Sequence, residues 1–234
     1  MGKWWRRQAA DRPGRAALGA ALAGCLALAF LALGSAAVLD LAPVRNIDQD
    51  LATWFYQHDN PSVRDIFAVI TDLGSPVLWA LGIGLSLYLL VRRQWTLLAG
   101  WALAMGAGKL WNEALKDWLA RPRPTLPGWE NPADGYGFPS GHTMQAMLAY
   151  GMLVYLGWAR VRARGLLLSG AIVLIALIAL SRLVLVAHYP SDVVGGLLAG
   201  SIWLLTSLAF TEALRTRQAT QHSPDRSETE QEAS

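Results

Sequence analysis

Ser181-Arg182-Leu183-Val184-Leu185-Val186-Ala187-His188-Tyr189-Pro190-Ser191-Asp192 gathers an arginine, a histidine and a carboxylate between two strongly apolar segments. A charge at the centre of a bilayer costs about 2.5–3.5 kcal/mol even on the lenient insertion scale. The stretch therefore reads as a connector between two spans and not as part of either. Tyr189 precedes Pro190 and is expected to be extended. Pro190 and Ser191 suit a helix start, with Ser191 or Asp192 as its cap. His188 then stands just outside the last helix, within reach of a carboxylate–imidazole hydrogen bond to Asp192. Such a bond fixes the ring tautomer and leaves the other nitrogen free to attack or to take a proton. By itself the stretch fits a capped loop with a solvated histidine equally well.

The flanks decide the fold class. Of 234 residues, 53% are hydrophobic and 16% charged, too apolar for an ordinary soluble domain, and the apolar residues come in blocks long enough to cross a bilayer. Spans are expected over 16–39, 76–91, from Trp95 to Lys109, from Pro139 to Trp158, 166–186 and 193–210. The expected fold is all-α: a polytopic membrane protein with six transmembrane helices. The first apolar run follows Lys3, Arg6, Arg7, Arg12 and Arg15. It is longer than the roughly 7–15 residues of a signal core, so it reads as an uncleaved span. Leu22-Ala23-Gly24-Cys25 resembles a lipoprotein cleavage box, yet more apolar sequence follows where a mature lipoprotein turns polar. Residues 1–15 form a basic N-terminus, 16–212 the six-span domain, and 213–234 a polar tail expected to be disordered. The single cysteine rules out an internal disulfide framework. Zinc-type spacing, a glycine-rich nucleotide loop and internal repeats are all missing, and nothing implies nucleic acid or a protein partner.

Between the first two spans, Ile47, Leu51, Trp54 and Phe55 share one helical face, as do Val63, Ile66, Phe67 and Ile70. Two short amphipathic helices are expected in this first outer loop. They lie along the membrane surface or, the simpler expectation, pack over the ends of the spans. Further on, Lys109, Asn112, Glu113 and Lys116 form one polar stripe at helical spacing, with Lys109 and Glu113 placed to pair. Arg121-Pro122-Arg123-Pro124 then breaks the helix, and 125–138 is a loop. Pro139-Ser140-Gly141-His142 opens the fourth span. Ser140 suits an N-cap, and the free N–H groups around Gly141 make a natural anion site. Gly196 and Gly200 give the last span a small-residue face for close packing.

Six spans put both termini on one side. That side carries the basic N-terminus, Arg92, Arg93, Arg160, Arg162, Arg164, Arg215, Arg217 and Arg226, most of the 20 basic residues, so it is expected to be cytoplasmic. Lys116, Arg121, Arg123 and Arg182 lie instead at the polar connectors of the outer face. Three cations, a helix N-terminus, two histidines and a carboxylate suit a tetrahedral anion such as phosphate, whose transfer depends on positioning and charge stabilisation.

Lys116-x6-Arg123-Pro124, Pro139-Ser140-Gly141-His142 and Ser181-Arg182-x5-His188-x3-Asp192 together resemble the three-part signature of the type 2 phosphatidic acid phosphatase family. That superfamily holds integral-membrane lipid phosphatases and vanadium haloperoxidases. The motifs cover 116–192, and the layout of spans extends the likeness to the bacterial six-span branch. The resemblance implies that His188 attacks phosphorus to form a phosphohistidine, with Asp192 orienting its ring. It implies that His142 protonates the leaving oxygen and then activates water. Lys116, Arg123, Arg182, Ser140 and the Gly141 amide would hold the phosphate oxygens, the spacing from Lys116 selecting Arg123 over Arg121. No metal and no other cofactor is implied. The expected substrate is a membrane lipid phosphate or diphosphate: undecaprenyl diphosphate, phosphatidylglycerol phosphate or phosphatidic acid. The expected place is the cell (inner) membrane, with the site facing outward. The alternatives are a non-catalytic carrier or scaffold of the same fold, and a Ser140–His–Asp192 acyl hydrolase, which lacks the Gly-x-Ser-x-Gly elbow.

Overall fold

Prolines open several of the helices, while Asp40 and Arg93 at positive φ mark two of the breaks, and every element among the described residues is helical. The computed structural model describes residues 12–128 and 134–221, with side chains over 19–128 and 134–218. In order these are α1 (Arg12–Val38), α2 (Ala42–Gln57), α3 (Pro61–Asp72), α4 (Pro76–Val91), α5 (Trp95–Ala102), α6 (Gly108–Leu119), α7 (Gly141–Gly157), α8 (Arg164–Val184) and α9 (Pro190–Gln221). A π-helical turn, Leu103–Ala107, joins α5 to α6 without a break. The Trp203 indole N–H donates to Leu103 O at 3.0 Å, a second donor beside the Gly108 N–H that closes the widened turn. Pro61 and Pro76 sit at helix starts, where the missing N–H costs nothing. Ala120, in the left-handed conformation, ends α6 ahead of Arg121-Pro122.

Four described segments are long and apolar enough to cross a membrane: Gly19–Val38, Pro61–Val91, Arg164–Val184 and Pro190–Gln218. Leu28, Ile83, Leu166 and Ile172 expose their side chains, as a lipid-facing surface requires. The interior is drier and tighter, with Leu78, Met144, Leu148, Met152 and Ile178 almost without exposure. Because lipid is as apolar as leucine, such helices associate through close packing. The last helix shows how. A Cβ on Gly196 would meet Ser140 O at 2.7 Å, and one on Gly200 would meet Met147 Cβ at 2.9 Å. The small-residue face therefore seats α9 on the first turns of α7. Gly195 receives the buried Phe138 ring in the same way.

Two expectations change. The apolar faces of α2 and α3 cover the neighbouring helices only in part, through the half-buried Phe55, Phe67 and Ile70. Ile47, Leu51, Trp54, Val63 and Ile66 point outward, and the inner face of α2 buries Asp48 and Ala52 instead. The polar tail expected to lack structure from 213 continues α9 to Gln221. Glu212 and Arg215 pair at 3.2 Å and both bond the Tyr155 hydroxyl, which extends the helix beyond its apolar part. The first eleven residues and those after 221 lie outside the described residues.

Candidate active site

The three polar connectors meet because backbone hydrogen bonds tie them together. Ser140 N–H donates to Asp192 O at 2.9 Å, and Gly137 N–H donates to Arg121 O at 2.8 Å. The Asn112 side-chain amide adds a bond to Pro139 O at 3.4 Å. Between them lies a cavity of about 170 Å³ lined by Lys116, Arg123, Gly141, His142, Arg182 and His188. Six of the eight residues expected at the site thus share one chamber. The polar stripe of α6 reaches it too, through Lys109, Asn112 and Glu113, with Lys109 and Glu113 paired at 3.7 Å.

The other two stand behind the wall. Asp192 is wholly buried. Its Oδ2 lies 3.4 Å from His188 Nδ1 and accepts from Tyr189 N–H at 2.9 Å. The cap of α9 therefore differs from the expectation. Tyr189 precedes the first helical residue, Pro190, and Asp192 bonds back to it from the first turn, the second half of a capping box. Ser140 occupies the position before α7, but its side chain caps nothing. Its hydroxyl accepts from Thr143 Oγ1 at 3.1 Å and has no exposure. Ser140 does not line the chamber, which Gly141 borders instead.

His188 is buried and polarised. Its Nε2 lies 3.0 Å from Arg123 Nη1. Burial lowers its pKa to about 4, the Asp192 carboxylate opposing this and the Arg123 and Arg182 charges reinforcing it. Arg123 is held by three carbonyls, Asp134 O, Gly135 O and Ala187 O, at 2.9, 3.0 and 3.0 Å. Burial lowers its pKa as well, against the pull of Asp192 and Asp134. Arg182 Nη1 donates to Thr71 Oγ1 at 2.7 Å, which leaves its buried Nε without a partner. Cations so desolvated gain from an anion between them.

Sequence reasoning passed over a second cluster. Arg121, set aside in favour of Arg123, is buried against Asp48 of α2, Ser191 and Asp192. The two arginines of Arg121-Pro122-Arg123-Pro124 thus face opposite ways, one into the chamber and one behind it. A second arginine in the motif was the available signal for Arg121, whereas nothing local marks Asp48. Thr71 and Gln145, whose buried amide lacks a partner beside the chamber, were likewise missed. Among the described residues, no group of three or more His, Cys, Asp or Glu could hold a metal ion.

Residues 95–215, just over half the chain, match the model of the PAP2 superfamily. The chain belongs to that superfamily. Phosphatidylglycerophosphatase B of Bacillus subtilis (strain 168) is 27% identical over 199 residues, which is 81% of this chain and 95% of the relative. The crystal structure described as the first transmembrane PAP2 type phosphatidylglycerolphosphate phosphatase, from Bacillus subtilis, superposes with a TM-score of 0.70 at 26% identity. The match covers 82% of this chain and 96% of that one. Aquifex aeolicus LpxE shares the fold, with a TM-score of 0.56 at 23% identity over 69% of this chain and 94% of that one. As a PAP2 phosphatase, the protein is a membrane hydrolase of lipid phosphates, as the three motifs implied. All three lie within the matched residues, and Asp48 lies outside them.

Proposed function

We propose that this PAP2 phosphatase hydrolyses phosphatidylglycerol phosphate, or a lipid phosphate close to it, through a phosphohistidine at His188 and without metal. Support for the substrate comes from the Bacillus relative, nearly all of which the chain covers. Undecaprenyl diphosphate and phosphatidic acid are the competing substrates. The observation that carries the chemistry is the meeting of His188 and His142 in one small chamber with Lys116, Arg123 and Arg182.

The neutral His188 attacks phosphorus through Nε2 while the bond from phosphorus to the leaving oxygen breaks. His142 donates a proton to that oxygen, releasing the lipid alcohol. Asp192, beside Nδ1, stabilises the positive charge that develops on the ring. A water then attacks the phosphohistidine, giving its proton to His142, and inorganic phosphate leaves as the His188–phosphorus bond breaks. Arg123, Arg182, Lys116 and the Gly141 amide hold the equatorial oxygens throughout. The basic residues of the remaining connectors favour six spans with cytoplasmic termini and a chamber opening outward from the inner membrane.

The test measures phosphate release in detergent from phosphatidylglycerol phosphate, phosphatidic acid and undecaprenyl diphosphate, with chelator, with vanadate and with His188→Ala. Turnover is expected to survive chelation, fall with vanadate and vanish in the variant. A requirement for divalent metal, or full activity in His188→Ala, would remove the mechanism. Preference for another lipid would change the substrate alone. Transport or binding without turnover would favour a carrier.

A further inference from the structure

Behind His188 the residues Asp48, Arg121, Ser191 and Asp192 form a closed polar cluster with side chains almost without exposure. Arg121 Nη2 donates to Asp48 Oδ2 at 2.6 Å, while Nη1 donates to Ser191 Oγ at 2.6 Å and to Asp192 Oδ1. The Ser191 N–H and hydroxyl donate to Asp48 Oδ1 and Oδ2 at 2.9 and 2.5 Å. The guanidinium also lies over the Tyr189 ring, 4.9 Å from its centroid. These bonds occupy three of the four carboxylate oxygens; the fourth, Asp192 Oδ2, accepts from Tyr189 N–H and lies toward the imidazole.

Charge counting gives this cluster a function. Asp192 alone with Arg121 would be a neutral pair and would do little for a ring turning positive. Of the other charges lining the chamber, Lys109 and Glu113 pair with each other, whereas Arg123, Arg182 and Lys116 are cations that make matters worse, and His142 is the second imidazole. Asp48 supplies a second carboxylate to the same guanidinium, so the cluster keeps one net negative charge beside Nδ1. We propose that Asp48 and Arg121 are positioning residues. Together they hold the Asp192 carboxylate in place, and Asp48 offsets the arginine so that Asp192 still acts on His188. Asp48 belongs to α2, the helix whose adjoining face carries Ile47, Leu51 and Trp54 outward. The first outer loop thereby becomes part of the catalytic electrostatics, although it lies outside the residues that match the family.

The inference rests on His188 being the nucleophile, as proposed above. Its test compares the full-length wild type with Asp48→Asn, Arg121→Gln and the double variant, following kcat, KM and the acid limb of kcat/KM on the preferred lipid. Asp48→Asn leaves Asp192 neutralised. It should lower kcat about tenfold with KM changed by less than about twofold, and move the acid limb to lower pH by about one unit. Arg121→Gln should move that limb upward, which keeps the idea refutable should Asp48→Asn fail to fold. The double variant restores one net negative charge and should recover part of the kcat lost in Asp48→Asn. A merely structural cluster predicts the reverse, since removing both partners would do more damage than removing one. A double variant as impaired as Asp48→Asn or worse, with His188 still essential in the wild type, overturns this inference alone. A wild type without turnover, or one indifferent to His188→Ala, overturns the site reading and this inference with it.

Discussion

Nη1 of Arg123 lies 3.0 Å from Nε2 of His188, and this contact assigns the imidazole tautomer. A guanidinium has only donors to offer, so Nε2 must accept and the ring proton resides on Nδ1, toward Asp192. The nitrogen carrying a lone pair thus faces the chamber, and the cation nearest it stands where phosphoryl oxygens would lie. In the proposed mechanism, an entering phosphate takes these N–H groups from the ring and frees the lone pair for attack.

Arg123→Lys keeps the charge and loses the fork. Arg123 also bonds three carbonyls, which one ammonium cannot reproduce while serving the phosphate. We expect kcat/KM to fall about 10²-fold, within the usual range for removing one charge-stabilising donor, with the melting temperature moved by only a few degrees. Steady-state kinetics with a thermal melt decides the point, and an unchanged kcat/KM would exclude Arg123 from the phosphate site.

The acid side of the pH profile follows from His188. Burial holds its pKa at about 4, below the usual 6.5, so the neutral imidazole that the proposed mechanism needs persists as pH falls until about 4 and is lost beneath it. The acid limb of kcat/KM assigned to this group should lie near pH 4. A limb near 6.5 would mean that His188 is solvated in the free enzyme.

Close packing at α9 gives a prediction on stability. A methyl at Gly196 would come within 2.7 Å of Ser140 O, a backbone atom that cannot yield without moving the chamber wall. Gly196→Ala should cost about 1–3 kcal/mol and lower kcat as well, because Ser140 N–H is bonded to Asp192 O. Denaturation in detergent alongside turnover tests this; unaltered stability and rate would show that the contact is loose.

Two isoleucines separate core from periphery. Ile178 is wholly buried against Gly74, whereas Ile66 of α3 is 59% exposed. Ile178→Ala should lose about 2–5 kcal/mol, and Ile66→Ser less than about 0.5 kcal/mol in detergent. Comparable losses would mean that α3 turns its apolar face inward after all.

Much was legible because membrane helices write their own boundaries. Apolar length, proline and glycine marked helices, four segments of which are long and apolar enough to cross a membrane among the described residues, and fixed internal spacing marked His142, His188, Arg182 and Lys116. The α2 and α3 helices were legible as helices, but their facing was not. An apolar stripe looks the same whether it meets lipid or protein, and only Asp48 on the inner side of α2 decided it. Ser140 misled for a related reason. Its residue type suits a helix cap, while the neighbouring Thr143 hydroxyl competes for the same oxygen.

The amino-acid sequence by itself determined the all-helical membrane architecture and the signature of the PAP2 superfamily, since hydropathy, helix breakers and motif spacing are local properties of a chain. Only the tertiary structure decided that Arg123 meets the His188 ring while Arg121, two residues away, meets Asp192 behind it, and that Asp48 joins Arg121 from a distant helix. Ion pairing across such separations depends on where folded helices bring side chains together, and no local pattern encodes that.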